Sequence, residues 1–136
     1  MAAQAQPVVI VVDDEVTVRT TARAILQRAG FAVEVADDGR SALAVLEKLG
    51  ARAAVVVLDW TLPDYSGSAI LAEVQRVAPH ATVIVSTGFG REDVLLTTTE
   101  NKGVRFLEKP YTASALVSAV RASLNVGHEG GVPAPD

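Results

Sequence analysis

Ala53-Ala54-Val55-Val56-Val57-Leu58-Asp59 runs apolar for six residues and then stops at a carboxylate. A strand with one wet face alternates apolar and polar side chains, so an unbroken apolar run suits a parallel strand covered on both faces. The same pattern recurs in both directions along the chain. Val8-Val9-Ile10-Val11-Val12 stops at Asp13-Asp14, and Val83-Ile84-Val85 stops at Ser86-Thr87. Val104-Arg105-Phe106-Leu107 stops just short of Lys109-Pro110. In an open α/β sheet, ligands bind in the crevice outside the carboxyl ends of the strands. Three carboxylates, a hydroxyl and an ammonium, far apart in sequence, can therefore converge on one pocket.

Helical patterns fill the intervals. After Glu15, the residues Val18, Ala22, Ile25, Leu26 and Ala29 form the stripe of a helix with one buried face, and Gly30 is placed to end it. Phe31 to Ala36 reads as a second strand. Asp37-Asp38-Gly39 then turns into a helix with Leu43, Leu46 and Leu49 on one side, closed by Gly50. Ile70, Leu71, Val74 and Val77 mark a third helix that stops before Pro79, followed by a strand over Thr82 to Ser86. Arg91 to Lys102 predicts a fourth helix, less stable than its neighbours. Its run Thr97-Thr98-Thr99 is β-branched, and Val94, Leu95 and Leu96 are its clear apolar anchors. Ala113 to Leu124 gives the last helix, with Leu116, Val117, Val120 and Leu124 inward. Five βα units imply an α/β fold, a doubly wound five-stranded parallel sheet with five helices on its two faces.

A length of 136 residues fits one domain, since domains commonly run to about 100–150 residues. Residues 8–125 are expected to form it, with 1–7 a flexible lead-in and 126–136 a disordered tail. The chain is 49% hydrophobic but only 4% aromatic, so the core must be built from Val, Leu, Ile and Ala. A formal charge of −4 argues against nucleic acid as a main partner, because that binding needs basic residues to neutralise phosphates. The absence of cysteine removes disulfides, thiolate chemistry and Cys-based zinc sites. No apolar run approaches the roughly 18 residues of a membrane helix. Met1 to Pro7 carries no basic residue and makes a poor secretory signal. A cytoplasmic protein without membrane insertion is expected.

Asp13 and Asp14 stand where a strand passes into a helix. Capping explains one acid there, since Asp is favoured at helix starts. Two adjacent acids repel unless a cation joins them, and Mg²⁺ takes oxygen ligands of this kind. Asp59 also has a capping alternative. The segment behind it, Trp60-Thr61-Leu62-Pro63-Asp64-Tyr65-Ser66-Gly67, nevertheless looks built to hold a fixed shape. A carboxylate beside a divalent cation can act as a nucleophile on phosphorus. Thr87 offers a hydroxyl and Lys109 a compact charge with three donors. The weight falls on the ordered set and not on any one residue.

That set, Asp13-Asp14, Asp59, Thr87 and Lys109-Pro110, resembles the receiver domain of two-component response regulators, with a chemotaxis-regulator-like, flavodoxin-like fold. The likeness spans about residues 8 to 125. Leu58 through Gly67 is similar to the family's phosphoacceptor loop, and Ser86-Thr87-Gly88-Phe89-Gly90 resembles versions associated with hybrid histidine kinases. The resemblance implies a strand order of 2-1-3-4-5. It implies that Asp59 accepts a phosphoryl group from a sensor histidine kinase or a histidine phosphotransfer protein. Mg²⁺ would be held by Asp13, Asp14, Asp59 and the backbone carbonyl of Thr61. Lys109 would pair with Asp59 and then with phosphoryl oxygens, and the peptide before Pro110 is commonly cis in the family. Thr87 would close on the phosphoryl group and Phe106 would turn inward as the switch aromatic. An aromatic in a short strand is often only core, but Phe106 stands at the family's switch position, three residues before Lys109. Tyr111 is expected to pack near the output face.

The resemblance further implies signalling by protein contact. The face of the fourth helix, fifth strand and fifth helix would meet a downstream target, the chain acting as a monomer or a phosphorylation-dependent dimer. Thr61 and Phe89 would flank the path of hydrolytic water. No output domain is expected after residue 125, and the protein is expected to catalyse only its own phosphoryl transfer and dephosphorylation. The alternative is the receiver fragment of a hybrid histidine kinase, with Met1 and the short polar lead-in slightly favouring a single-domain regulator. A haloacid-dehalogenase-type phosphatase also pairs an aspartate nucleophile with Mg²⁺, but it wants a second acid where this chain has Thr61. A flavin binder of similar strand order would find its phosphate repelled by Asp13 and Asp14.

Overall fold

The long apolar runs form the middle of a five-stranded parallel sheet, and more polar segments form its edges. In this computed structural model, which describes residues 6–88 and 104–127, the strands are β1 (Val8–Val12), β2 (Ala32–Ala36), β3 (Ala53–Asp59), β4 (Thr82–Thr87) and β5 (Val104–Glu108). They lie in the order β2-β1-β3-β4-β5, every neighbouring pair parallel. All of β1 and β4 is buried, and all of β3 except Ala54. The edge strands β2 and β5 are partly exposed along most of their length, which is why they tolerate Glu34, Arg105 and Glu108.

The helices among the described residues are α1 (Val16–Arg28), α2 (Gly39–Leu49), α3 (Gly67–Val77) and α4 (Ala113–Gly127). The helix expected over Arg91 to Lys102 lies outside the described residues, so the expected five are seen here as four. The last helix runs to Gly127, past its expected end at Leu124. A short 3-10 turn at Gly50–Arg52 is an element the apolar spacing does not announce. Gly30 and Gly50 have φ of 100° and 54°, a conformation that strains any residue with a β-carbon, and each stands where a helix must end.

Side chains two apart share a face of a strand. One face carries Val8, Ile10, Val12, Val56, Leu58, Val83 and Val85 against Leu46, Leu49, Ile70, Leu71 and Val74 of α2 and α3. The other carries Val9, Val11, Val55, Val57 and Ile84 against Ala22 and Leu26 of α1 and Leu116 and Val120 of α4. Leu26, Leu46, Leu58, Ile70 and Leu116 are wholly buried, each contributing about 1.5–3 kcal/mol relative to exposure. Among the described residues no helix is long and apolar enough to cross a membrane.

This packing fixes the strand register. Val12 pairs with Leu58, Asp59 with Ser86 and Thr87 with Glu108. The carboxyl ends of β1, β3, β4 and β5 are therefore nearly flush. Strand order also reverses direction between β1 and β3, the switch point at which such sheets open a crevice.

Candidate functional site

Backbone bonds carry the pairing past the strand ends and hold the site's main chain. Asp13 N donates to Ala36 O at 3.1 Å, Trp60 N to Ser86 O at 3.1 Å and Lys109 N to Thr87 O at 2.9 Å. The Lys109-Pro110 peptide is cis, as the family resemblance implies.

At these ends Asp13, Asp14 and Asp59 each offer a carboxylate oxygen within 4.8 Å of the others. Asp13 and Asp59 are buried, at 3% and 6% exposure, while Asp14 is exposed to solvent. Asp13 is occupied twice. Its Oδ1 accepts the Glu15 amide at 2.9 Å, and its Oδ2 lies 2.9 Å from Lys109 Nζ. The capping reading is thus partly right for Asp13, whose carboxylate shapes the turn into α1. The residue at the α1 N-cap position is Glu15, whose side chain makes no capping bond. Lys109 Nζ stands 3.6 Å from Asp59 Oδ1, so the lysine that sequence reasoning pairs with Asp59 is held more closely by Asp13.

Asp59 Oδ1 also accepts the Thr61 amide at 3.1 Å. Burial pushes its carboxyl pKa from 3.8 up to about 6; the Thr61 bond opposes this, Asp13's charge adds to it, and Lys109 offsets only part. Lys109 titrates above its usual range: burial disfavours its charge, but the Asp13 bond and the charges of Asp59 and Asp13 prevail. Three carboxylates facing one ammonium leave the pocket short of positive charge. An all-oxygen donor set with that deficit fits a hard divalent cation.

Thr87 is buried at the end of β4, beside Asp59 through the register of Asp59 with Ser86. Phe106 pairs with Val85 and packs, partly buried, against the core under α2 and α3. Tyr111 packs against the core under α1 and α4, and burial together with Asp13's charge pushes its hydroxyl pKa up. Phe89 lies outside the described residues.

Sequence reasoning missed two side chains that fix the site. Arg19 Nη1 donates to the Asp13 carbonyl at 2.8 Å, one turn into α1. Asp64, in the loop after β3, accepts the amides of Gly39 and Arg40 at 2.8 and 3.1 Å. Arg19 lies six residues from Asp13, a spacing that a helix start makes plausible but does not demand. Nothing local marks Asp64, because its partners stand 25 and 24 positions earlier.

A family model described as the response regulator receiver domain matches residues 9–121. The transcriptional regulatory protein FixJ of Azorhizobium caulinodans is 34% identical over 122 residues, covering 89% of this chain and 56% of that protein. The sensor kinase CckA of Brucella abortus is 29% identical over 116 residues, covering 85% of this chain and 12% of the kinase. The chain thus spans about half the length of the first of these relatives and a small part of the second. A solved response regulator receiver domain protein from Clostridium thermocellum superposes with a TM-score of 0.81 at 30% identity, covering 88% of this chain and 95% of that one.

Proposed function

The chain belongs to the response regulator receiver domain family, and from that premise we propose that Asp59 is its phosphoacceptor, taking a phosphoryl group from a phosphohistidine. One observation carries the reading: Asp59 is buried at the carboxyl end of β3, faced by Lys109 and two further carboxylates, with its pKa pushed up to about 6. An Asp59 oxygen attacks phosphorus as the bond from phosphorus to the donor's imidazole nitrogen breaks. The imidazole leaves, and an aspartyl phosphate remains.

Asp13, Asp14, Asp59 and the Thr61 carbonyl are the residues that would hold Mg²⁺. When bound, the ion neutralises carboxylate charge that would repel an incoming phosphoryl group. Asp13, fixed by Glu15 N and Lys109, supplies an immobile carboxylate, while exposed Asp14 is free to turn toward a ligand. Lys109 can move its ammonium from Asp13 toward phosphoryl oxygens at Asp59 without leaving the pocket. Thr87 donates its hydroxyl to the phosphoryl group, and Phe106 follows inward. That movement resets the surface that meets a downstream partner.

A histidine kinase or a histidine phosphotransfer protein is the donor in this reading, and catalysis is confined to the domain's own phosphorylation and dephosphorylation. The cytoplasm as compartment, and a monomer that can dimerise when phosphorylated, belong to the same proposal. Family membership sets aside the phosphatase and flavin-binding alternatives. Incubation with acetyl phosphate and Mg²⁺ tests the core of it. The expected product is a hydroxylamine-labile adduct of one phosphoryl group, absent from Asp59→Asn. An adduct that persists in Asp59→Asn, or none in the wild type, overturns the assignment.

A further inference from the structure

We propose that Asp64 is a positioning residue for the phosphoacceptor site: by binding the first amides of α2 it holds the β3–α3 loop, and with it Thr61 and Asp59, in the shape that takes the cation. The inference rests on the receiver reading and extends it to a residue outside the pocket.

Residues 60–66 join Asp59 to α3. On the core side, Trp60 and Leu62 pack against the buried cluster, and the Trp60 ring lies so close over Gly67 that a β-carbon there would collide with it. On the solvent side, residues 63–66 are all exposed. Three ties hold that exposed part. Thr61 and Ser66 form an antiparallel bridge, Tyr65 lies against Gly39, and the Asp64 carboxylate binds Gly39 N and Arg40 N. A β-carbon on Gly39 would sit 2.5 Å from the Tyr65 ring, so the approach requires glycine.

Helix α2 does not depend on Asp64 for its cap, because Asp38 already accepts the Ser41 amide at 2.8 Å. Of the loop's three ties, the Asp64 carboxylate is the one that makes hydrogen bonds to α2. A carboxylate taking two amides at a helix N-terminus makes charge-assisted bonds favoured by the helix dipole. In keeping with this, the Asp64 carboxyl titrates below its usual range: solvent loss works the other way, and the Gly39 and Arg40 amides, together with those of Asp64 and Tyr65, prevail. The tie matters for chemistry because Thr61 N, inside the same loop, holds Asp59 Oδ1 at 3.1 Å. Releasing the outer half of the loop frees Thr61, and with it the orientation of the acceptor carboxylate. Groups that orient metal ligands from behind set affinity without touching the ion.

The test compares Mg²⁺ binding by calorimetry in the full chain and three variants. Asp64→Ala is expected to weaken Mg²⁺ binding roughly tenfold, at the lower end of what loss of such supports costs. Asp64→Asn keeps one oxygen acceptor but turns its amino group toward the other amide, and is expected to recover only part of the affinity. Asp38→Ala removes the local cap, lowers thermal stability at least as much, and leaves Mg²⁺ affinity unchanged. The proposal is overturned if Asp64→Ala binds like wild type, or if Asp38→Ala loses as much affinity as Asp64→Ala. If the wild-type chain itself binds no Mg²⁺, the receiver reading of the site fails first, and this proposal with it.

Discussion

Lys109 is bonded to Asp13 more closely than to Asp59, with its Nζ 2.9 Å from Asp13 Oδ2 and 3.6 Å from Asp59 Oδ1. Its charge serves two buried carboxylates, and among the described residues no other cation forms an ion pair with either. Removing it leaves both carboxylates without their counter-charge. Lys109→Ala is therefore expected to lower metal-free stability at neutral pH by about 1–3 kcal/mol, less than the roughly 3–5 of a wholly buried pair because the lysine keeps some solvent. Saturating Mg²⁺ replaces the missing charge, so it should raise the variant's unfolding midpoint more than the wild type's. Urea melts in chelator and in Mg²⁺ measure both, and equal shifts would refute the argument.

The raised pKa of Asp59 gives the metal-free fold a definite pH dependence. The folded state binds this proton more tightly than the unfolded chain does, with a pKa of about 6 against 3.8. Protonation therefore favours folding. Asp59 contributes no penalty below about pH 4, a growing penalty up to about 6, and its full penalty above that. A rise from 3.8 to about 6 corresponds to at most about 3 kcal/mol. Asp59→Asn, melted in chelator at pH 7.5, should be more stable than wild type by about 1–3 kcal/mol, and the gain should vanish near pH 4. A gain independent of pH would point to packing and not to charge.

Trp60 and Gly67 make a steric pair that a double-mutant cycle can read. A methyl at Gly67 meets the indole ring, and overpacking of that kind costs about 1–3 kcal/mol. Gly67→Ala should lose that much in the wild-type background and much less in Trp60→Ala, where the space is open. Equal losses in both backgrounds would show that the backbone of Gly67, not the ring, sets the cost.

What the sequence made legible, and what it hid, divides along the range of the interactions. Val8–Val12, Ala53–Leu58 and Val83–Val85 announce central strands because burial on both faces permits no polar residue, a constraint written residue by residue. Once those runs are parallel strands, the convergence of Asp13, Asp59, Thr87 and Lys109 follows from the flush register. Which carboxylate Lys109 prefers does not follow, because Asp13 and Asp59 both flank it and differences below an ångström decide the bond. Asp64 is invisible for another reason: its partners belong to a helix more than twenty positions earlier, and only the packing of α2 beside α3 brings them together. The 3-10 turn at Gly50–Arg52 arises from how the chain leaves α2, with no apolar period to mark it.

Arg19 supplies a last contrast with Lys109. Its guanidinium donates to the main-chain carbonyl of Asp13, at 2.8 Å, and not to a carboxylate. A peptide carbonyl does not titrate, so the bond should survive into acid, where Asp59 beside Lys109 takes up its proton. Arg19→Met keeps most of the apolar stem and removes the donor, and is expected to cost about 1–2 kcal/mol, as loss of a charged hydrogen-bond donor does. That cost should be the same at pH 7 and pH 4, whereas the cost of Lys109→Ala should shrink as pH falls and the repulsion it was offsetting disappears. Paired melts of the two variants at both pH values separate the roles. Parallel pH dependence in both would mean that Arg19 also acts through the carboxylate cluster, and the main-chain bond would lose its claim to hold Asp13 in place.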